Sequence, residues 1–491
     1  MKNKSYLLEL VVFSCGAIVM IFELVGARVL GPYFGTSFFV WTAIIGVILG
    51  SLSLGYYLGG KIADKRPSVQ MLSSVIFVSA LLIALSYFFK EVFLIFLSGT
   101  IKDAKMASVI ATVVLFSPAS VFLGMVSPYA VKLRVDSLKT TGAVVGRLYS
   151  LSTLGSIFGT FLAGFYLIPS FGTNMNLIIL TVFLFFLSFL LILKKQFFLR
   201  FAVVLVVFSF FYSIDFSVAG RIDVDTPYNR VWIYDYKHSS TGKITKIMGI
   251  NNENHSSMFL DSDELVNVYT KYYDLINFFK ADFENVLMLG GAAYSYPKYF
   301  VQNYLDSFID VVEIDPKMTE LARKYFRLED NDRMQIFHED GRVFLNNTSK
   351  KYDAILGDAF GSRYSVPYQL TTLEAVEKKY NALTEDGVVI LNLISSFEGQ
   401  NSMFLRAQYR TYKEVFPKIF LFKVNSIVPD DKLQNIILVA FKKDFEKDFS
   451  SASAELLPLL NTIWKGNLLL DLPILTDDFA PVEYYMNNAN F

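Results

Sequence analysis

A single cysteine in 491 residues, Cys15, excludes disulfides and a cysteine-based zinc site. Histidine is almost as scarce: His238, His255 and His338 are scattered and have no helical pairing, so no metal is expected. Charged residues make up only 18% of the chain, and Lys plus Arg equals Asp plus Glu at 45 each. No net field therefore points to nucleic acid. What is abundant is apolar: 53% hydrophobic and 16% aromatic, too much for an ordinary soluble enzyme.

That excess is concentrated before residue 218. Runs long enough to span a bilayer occupy about 7–27, 38–59, 69–89, 107–128, 143–168, 175–193 and 197–216. The last is the weakest, because Arg200 lies within it. The first is no secretory signal: it is long, lacks a small-x-small cleavage site and is followed by further spans. A multi-pass protein of the cell (plasma) membrane is expected, with the lipid bilayer as a partner. Basic residues cluster at Lys2 and Lys4, at Lys61, Lys65 and Arg66, at Lys132, Arg134 and Lys139, and at Lys194, Lys195 and Arg200. The positive-inside rule makes those loops and the N-terminus cytoplasmic. Seven crossings then place the rest of the chain outside. Either one apolar segment does not cross or the C-terminal half is extracytoplasmic; its motifs favour the first and a cytoplasmic domain. Glycines four apart, Gly46 and Gly50, Gly55 and Gly59, Gly155 and Gly159, predict close helix packing. Glu23 and Arg28 are ionisable groups in or at the end of the first span, where an ion pair or a substrate site accounts for them.

The composition then changes. Residues 219–280 read as a small β subdomain, with strands at 231–236, 243–250 and 257–262 and turn residues Asn251, Asn252 and Asn254. Residues 281–445 alternate strand and helix, the mark of a Rossmann-like α/β sheet, and 446–491 form a tail packing on it. The strand at 284–289 runs into Gly290 and Gly291, whose lack of a side chain lets the backbone approach a ligand. Glu313 ends the strand at 309–315, 22 residues beyond Gly291, a spacing suited to a carboxylate that accepts ribose hydroxyls. Asp315 and Pro316 fit a helix cap and first turn. Asp340-Gly341 closes a third strand, where the carboxylate faces an adenine amino group or caps the helix at 342–347. A fourth strand, 352–358, delivers Asp358 to the sheet's carboxyl edge, and Asp353 reads as structural. Strands at 387–395, 418–425 and 435–441 complete seven, the last two as an antiparallel pair. No P-loop occurs, so a nucleoside suits the site better than a triphosphate.

These segments resemble the spermidine synthases, and in particular bacterial proteins that fuse a multi-span membrane region to a spermidine-synthase-like domain. FELVGARVLGPYFGTSFFVW (22–41), LGGKIADKRP (58–67) and GRLYSLSTLGSIFGTFLAGFYLIPSFG (146–172) carry the likeness in the first half. TPYNRV (226–231), LGGAAYSYPKYF (289–300), VVEIDPKM (311–318), HEDGRVFL (338–345), YDAILGDAFG (352–361) and LTDDFAPVE (475–483) carry it in the second. The resemblance implies aminopropyl transfer from decarboxylated S-adenosylmethionine, used as a co-substrate, to a small-molecule amine. Glu313 would hold the ribose, Asp340 the adenine, and Asp358 would orient and deprotonate the amine. Aligning the family's Tyr-His-Glu segment on 269–271 makes Tyr269 a substrate contact and replaces the glutamate with Lys271.

Further departures weigh on the acceptor. The family's aspartate in the glycine-rich turn is Ala293 here, and its second aspartate after the catalytic one is Gly361. A dication needs carboxylates to replace its water, so putrescine bound in the usual manner is disfavoured. Tyr294 narrows the pocket from the turn, Tyr364 packs on a ligand or within its own loop, and Asp477 and Asp478 restore carboxylates or shape a turn. The competing readings are a methyltransferase using S-adenosylmethionine on the same fold, and a silent nucleoside-binding domain on a transporter. The oligomeric state is open, a homo-oligomer included.

Overall fold

The computed structural model describes residues 2–101, 103–135, 140–191, 194–213, 220–239, 241–251, 253–359, 366–444 and 448–487. The chain divides into two compact units, Met1–Ser217 and Val218–Phe491.

The first unit is helical: α1 (Lys2–Phe34), α2 (Phe38–Lys65), α3 (Val69–Thr100), α4 (Ala104–Leu115), α5 (Ser117–Gly124), α6 (Val126–Arg134), α7 (Thr141–Leu162), α8 (Ile168–Leu190) and α9 (Lys194–Ser213). Where seven spans were expected, four helices among the described residues are long and apolar enough to cross a membrane: Tyr6–Phe34, Phe38–Lys65, Val69–Thr100 and Thr141–Leu190. A fifth is a pair, Ala104–Leu115 and Ser117–Arg134, bent by 51° where Pro118 enters the second helix. Thr141–Leu190 is 50 residues long, roughly 75 Å at 1.5 Å per residue, or more than twice a hydrocarbon core. It is broken at Gly172, whose φ of 67° and ψ of 179° are not helical, and the two arms contain most of the segments read as spans at 143–168 and 175–193. Asn176 closes that break by donating to the carbonyls of Leu167, at 3.0 Å, and Gly172. Gln196–Tyr212 is a shorter apolar helix. Its Arg200 is held by Ser73 (2.7 Å), Ser74 (2.6 Å), Ser188 (3.2 Å) and Gln196 (3.0 Å), which meets a guanidinium's hydrogen-bonding needs inside an apolar bundle. Further along, Phe211 packs on Tyr87 and Phe88, so α9 follows α3.

Two of the three glycine pairs are packing seams. A Cβ at Gly155 would lie 1.9 Å from the Phe13 carbonyl oxygen, and one at Gly159 2.3 Å from that of Ala17. The equal four-residue steps show α1 and α7 running in the same direction. Gly55 and Gly59 meet Val121 and Met125 in the same way. Gly46 and Gly50 do not: nothing lies within 4 Å of a Cβ at either, because that face of α2 packs against no neighbour.

The second unit begins with an antiparallel sheet in chain order: β1 (Arg221–Asp225), β2 (Arg230–Lys237), β3 (Ile244–Ile250) and β4 (Glu253–Phe259). The turn before β4 is tighter than the asparagines implied, and Asn254 is already in the strand. Then come α10 (Ile276–Phe279), β5 (Asn285–Leu289), α11 (Ser295–Asn303), β6 (Phe308–Val312), α12 (Pro316–Tyr325), β7 (Met334–Phe337), α13 (Gly341–Asn347), β8 (Tyr352–Gly357), α14 (Leu373–Ala382), β9 (Leu383–Ser395), α15 (Met403–Lys413), β10 (Lys418–Lys423) and β11 (Gln434–Phe441). The seven-stranded sheet has the order β10-β11-β9-β8-β5-β6-β7. β5 to β9 are parallel, and β11 is antiparallel to both its neighbours. This is the Rossmann-like arrangement with a reversed strand. β5 and β8 are buried along almost their whole length, as strands covered on both faces must be. The small sheet packs Val231, Ile233 and Met248 on Met318 and Leu321 of α12. Asp353 is structural: it accepts the amides of Glu284 (2.9 Å) and Asn285 (3.0 Å).

Candidate functional site

The parallel strands all end at one edge, and the turn after β5 opens it. Gly290 has φ +97°, and a Cβ there would come within 2.6 Å of the Asp358 carbonyl oxygen, so glycine lets the ends of β5 and β8 close together. The turn is then clamped by Glu313. Its Oε2 accepts the amides of Gly291 (2.9 Å) and Ala292 (3.0 Å), and its Oε1 accepts the amide of Asp315 (3.0 Å). Glu313 therefore has a structural task that sequence spacing did not reveal. Burial raises its pKa, and the backbone donors work against that rise. Asp315 caps α12 through the Lys317 amide and also takes the Thr226 hydroxyl, tying the TPYNRV loop to the edge.

Asp340 caps α13, with Oδ1 accepting from Arg342 (2.8 Å) and Val343 (3.2 Å), while Oδ2 takes the Gln369 amide at 3.2 Å. The cap reading of this residue is thus observed, and Asp340 also lines a cavity of about 270 Å³. Gly290, Glu313, Gly341 and Asp358 line the same cavity, with Leu289, Val312 and Met318 as apolar walls. Gly291 stands behind it as a donor to Glu313.

Asp358 ends β8 and faces two ways. Tyr269 donates to Oδ2 at 2.9 Å and Asn392 to Oδ1 at 3.1 Å. Asn392 is itself fixed by Asn435, which donates to its Oδ1 at 2.9 Å. Burial pushes the Asp358 pKa up to about 6, although Asn392, Tyr269 and Tyr273 all favour the charged form. A second cavity of about 550 Å³ lies on this side, and both Asp358 and His255 border the two cavities. The His255 Nε2 is buried with no hydrogen-bond partner, and burial lowers its pKa to about 4.

One expected contact changes, and one falls outside the described residues. Tyr294 does not narrow the cavity: it is fully buried, its ring lies against Gly291 and its hydroxyl bonds Thr319 at 2.6 Å. The left-handed conformation at Tyr294, φ 55°, turns the side chain into the core. Tyr364 and Gly361 lie outside the described residues. Asp477 joins Arg342 (2.7 Å) and Thr372 (2.7 Å) and lines neither cavity, so it braces the tail. Ala293 is buried against the small sheet. Sequence reasoning missed Asn392, Asn435, His255 and Gln369. Asn392 was the one with a visible signal, as a lone amide inside the apolar run of β9. Among the described residues, no three His, Cys, Asp or Glu side chains converge as a metal site.

Residues 272–451 match the spermine/spermidine synthase domain. The chain is 24% identical over 413 residues to polyamine aminopropyltransferase 2 of Aquifex aeolicus, covering 80% of each protein. It is 27% identical over 216 residues to the polyamine aminopropyltransferase of Vibrio vulnificus, covering 41% of this chain and 69% of that one. A probable spermidine synthase from Corynebacterium glutamicum superposes with a TM-score of 0.42 at 21% identity, covering 56% of this chain and 95% of the other. Residues 272–451 of the second unit thus match a spermine/spermidine synthase domain, and the chain is similar to polyamine aminopropyltransferases.

Proposed function

We propose that this protein is an integral membrane aminopropyltransferase, moving the aminopropyl group of decarboxylated S-adenosylmethionine to an amine. The observation that carries the proposal is the position of Asp358 between a nucleoside-sized cavity and a second, polar one. In this reading Glu313 meets the ribose, Asp340 the adenine edge, and Gly290 and Gly341 leave room for the nucleoside. The amine reaches Asp358 from the second cavity, beside Tyr269. The carboxylate takes a proton from the ammonium, and the freed nitrogen lone pair attacks the carbon bonded to the sulfonium. The new C–N bond forms as the C–S bond breaks. Its electron pair returns to sulfur, leaving neutral methylthioadenosine. Positioning and proton removal are the protein's contributions; the sulfonium supplies the leaving group.

Glu313→Ala tests the donor half. It removes a ribose acceptor and also frees three backbone amides of the turn, so methylthioadenosine affinity is expected to fall about 100-fold, equivalent to about 3 kcal/mol. Calorimetric titration measures this, and unchanged affinity would remove Glu313 from the site.

We further propose that the second unit faces the cytoplasm, since a charged nucleoside sulfonium does not cross a bilayer unaided. Cytoplasmic placement requires an even number of crossings, so in this reading α9 does not complete one: its contacts along α3, from Ser73 to Phe88, run roughly 22 Å at 1.5 Å per residue, short of a hydrocarbon core of about 30 Å. A reporter fused after the last residue is expected to read cytoplasm; an exterior reading would end the transferase proposal.

A further inference from the structure

We propose that the acceptor amine carries one ammonium and a neutral, hydrogen-bonding tail, and that the pocket selects against diamines; this rests on the aminopropyl-transfer reading above. The cavity next to Asp358 is walled by carboxamides, those of Asn267, Asn392, Asn425 and Asn435, with the exposed Asn254 among its lining residues. Among the described residues, its carboxylates are Asp358 and the half-buried Glu253. Asp358 must serve the amine that attacks, because that nitrogen has to lose its proton beside the reacting carbon. A second ammonium on the same molecule would leave water to lie against amide groups. An amide oxygen offers a dipole where an ammonium in a partly desolvated pocket needs a full opposite charge. Glu253 is half-exposed, and water screens much of its pull.

The same groups suit a hydroxyl or amide tail. Each carboxamide both donates and accepts, so a neutral polar group finds partners whichever way it turns. Two of the amides are fixed in orientation. Asn392 must point its NH₂ at Asp358 because Asn435 donates to its oxygen, so the wall nearest the reacting nitrogen is ordered before the acceptor arrives. His255, neutral under ordinary conditions, adds no charge of either sign.

The test uses the full-length protein in detergent, with decarboxylated S-adenosylmethionine as donor. Putrescine is compared with the amino alcohol of equal chain length, and methylthioadenosine release is followed. The amino alcohol is expected to show a kcat/KM at least about tenfold higher, the effect of one unmatched charge in a partly buried site. Asn435→Asp is expected to shrink or reverse that ratio by adding a carboxylate to the wall. A wild-type preference for putrescine would overturn the proposal and leave the transfer reading intact. Should neither amine release methylthioadenosine, the transfer reading fails. Calorimetric binding of the two amines to the methylthioadenosine-loaded protein then still decides the pocket's preference: tighter amino alcohol supports it, tighter putrescine overturns it.

Discussion

Replacing Asp358 with asparagine is expected to lower turnover about a thousandfold, the usual effect of removing a general base, while methylthioadenosine affinity changes less than about twofold. The substitution keeps the shape and one acceptor, for Asn392, while its NH₂ turns the Tyr269 contact round so that the tyrosine oxygen accepts, and it removes the ability to hold a proton. The pH profile gives a second readout. Burial lifts the carboxyl to about 6, so the base is protonated below that value and free above it. Wild-type turnover should therefore rise through about pH 6 and level off, and the variant should lose that limb. Folding responds with the opposite sense. The folded state binds this proton more tightly than the unfolded chain, whose carboxyl titrates near about 4. Stability is thus lost as pH rises through the folded value, about 3 kcal/mol for this group. Asparagine removes that loss, so the variant should be the more stable protein at neutral pH in denaturant titrations. A flat wild-type rate profile across about pH 5 to 7 would take Asp358 out of the proton transfer.

The second large effect lies in the helical unit. Gly155→Val is expected to destabilise it by about 3 kcal/mol, the upper end of overpacking costs. The added side chain would start 1.9 Å from the Phe13 carbonyl oxygen, and backbone cannot move aside as a side-chain tip can. Helices α1 and α7 must separate, and the contacts along the seam go with them. Gly46→Val is the control: it meets nothing within 4 Å and should stay within about 0.5 kcal/mol of wild type. Thermal unfolding in detergent measures both. Equal effects would show that the seam is not where the unit gains its stability.

The two variants also mark what could be read from the chain itself. Strand–helix alternation and the turn motifs placed Gly290, Glu313, Asp340 and Asp358 at one sheet edge, because each lies within three residues of a strand end. Side chains that arrive from elsewhere were invisible. Asn435 reaches the site only because β11 folds back antiparallel onto β9, and no local pattern records which residues then face Asp358. Tyr294 was misread because its direction depends on a left-handed residue that spacing does not encode. Glycine spacing alone did not separate Gly46 and Gly50 from the true seams, since three glycine pairs share one pattern and only two meet a neighbour. The break at Gly172 and the bend before Pro118 were hidden in hydropathy, which counts apolar length and not direction.

The surroundings of Asp358 have one more consequence. Tyr269 keeps its own proton, held more firmly by burial and by the neighbouring carboxylate; Asn392 has no site for an extra one; His255, at about 4, is too weak a base to take it. In the proposed reaction, none of these three neighbours relays a hydrogen ion captured from the acceptor. On the proposed reading, solvent that refills the space the product vacates takes that proton, so resetting the catalyst is an act of rewetting, and each cycle ends when bulk water returns.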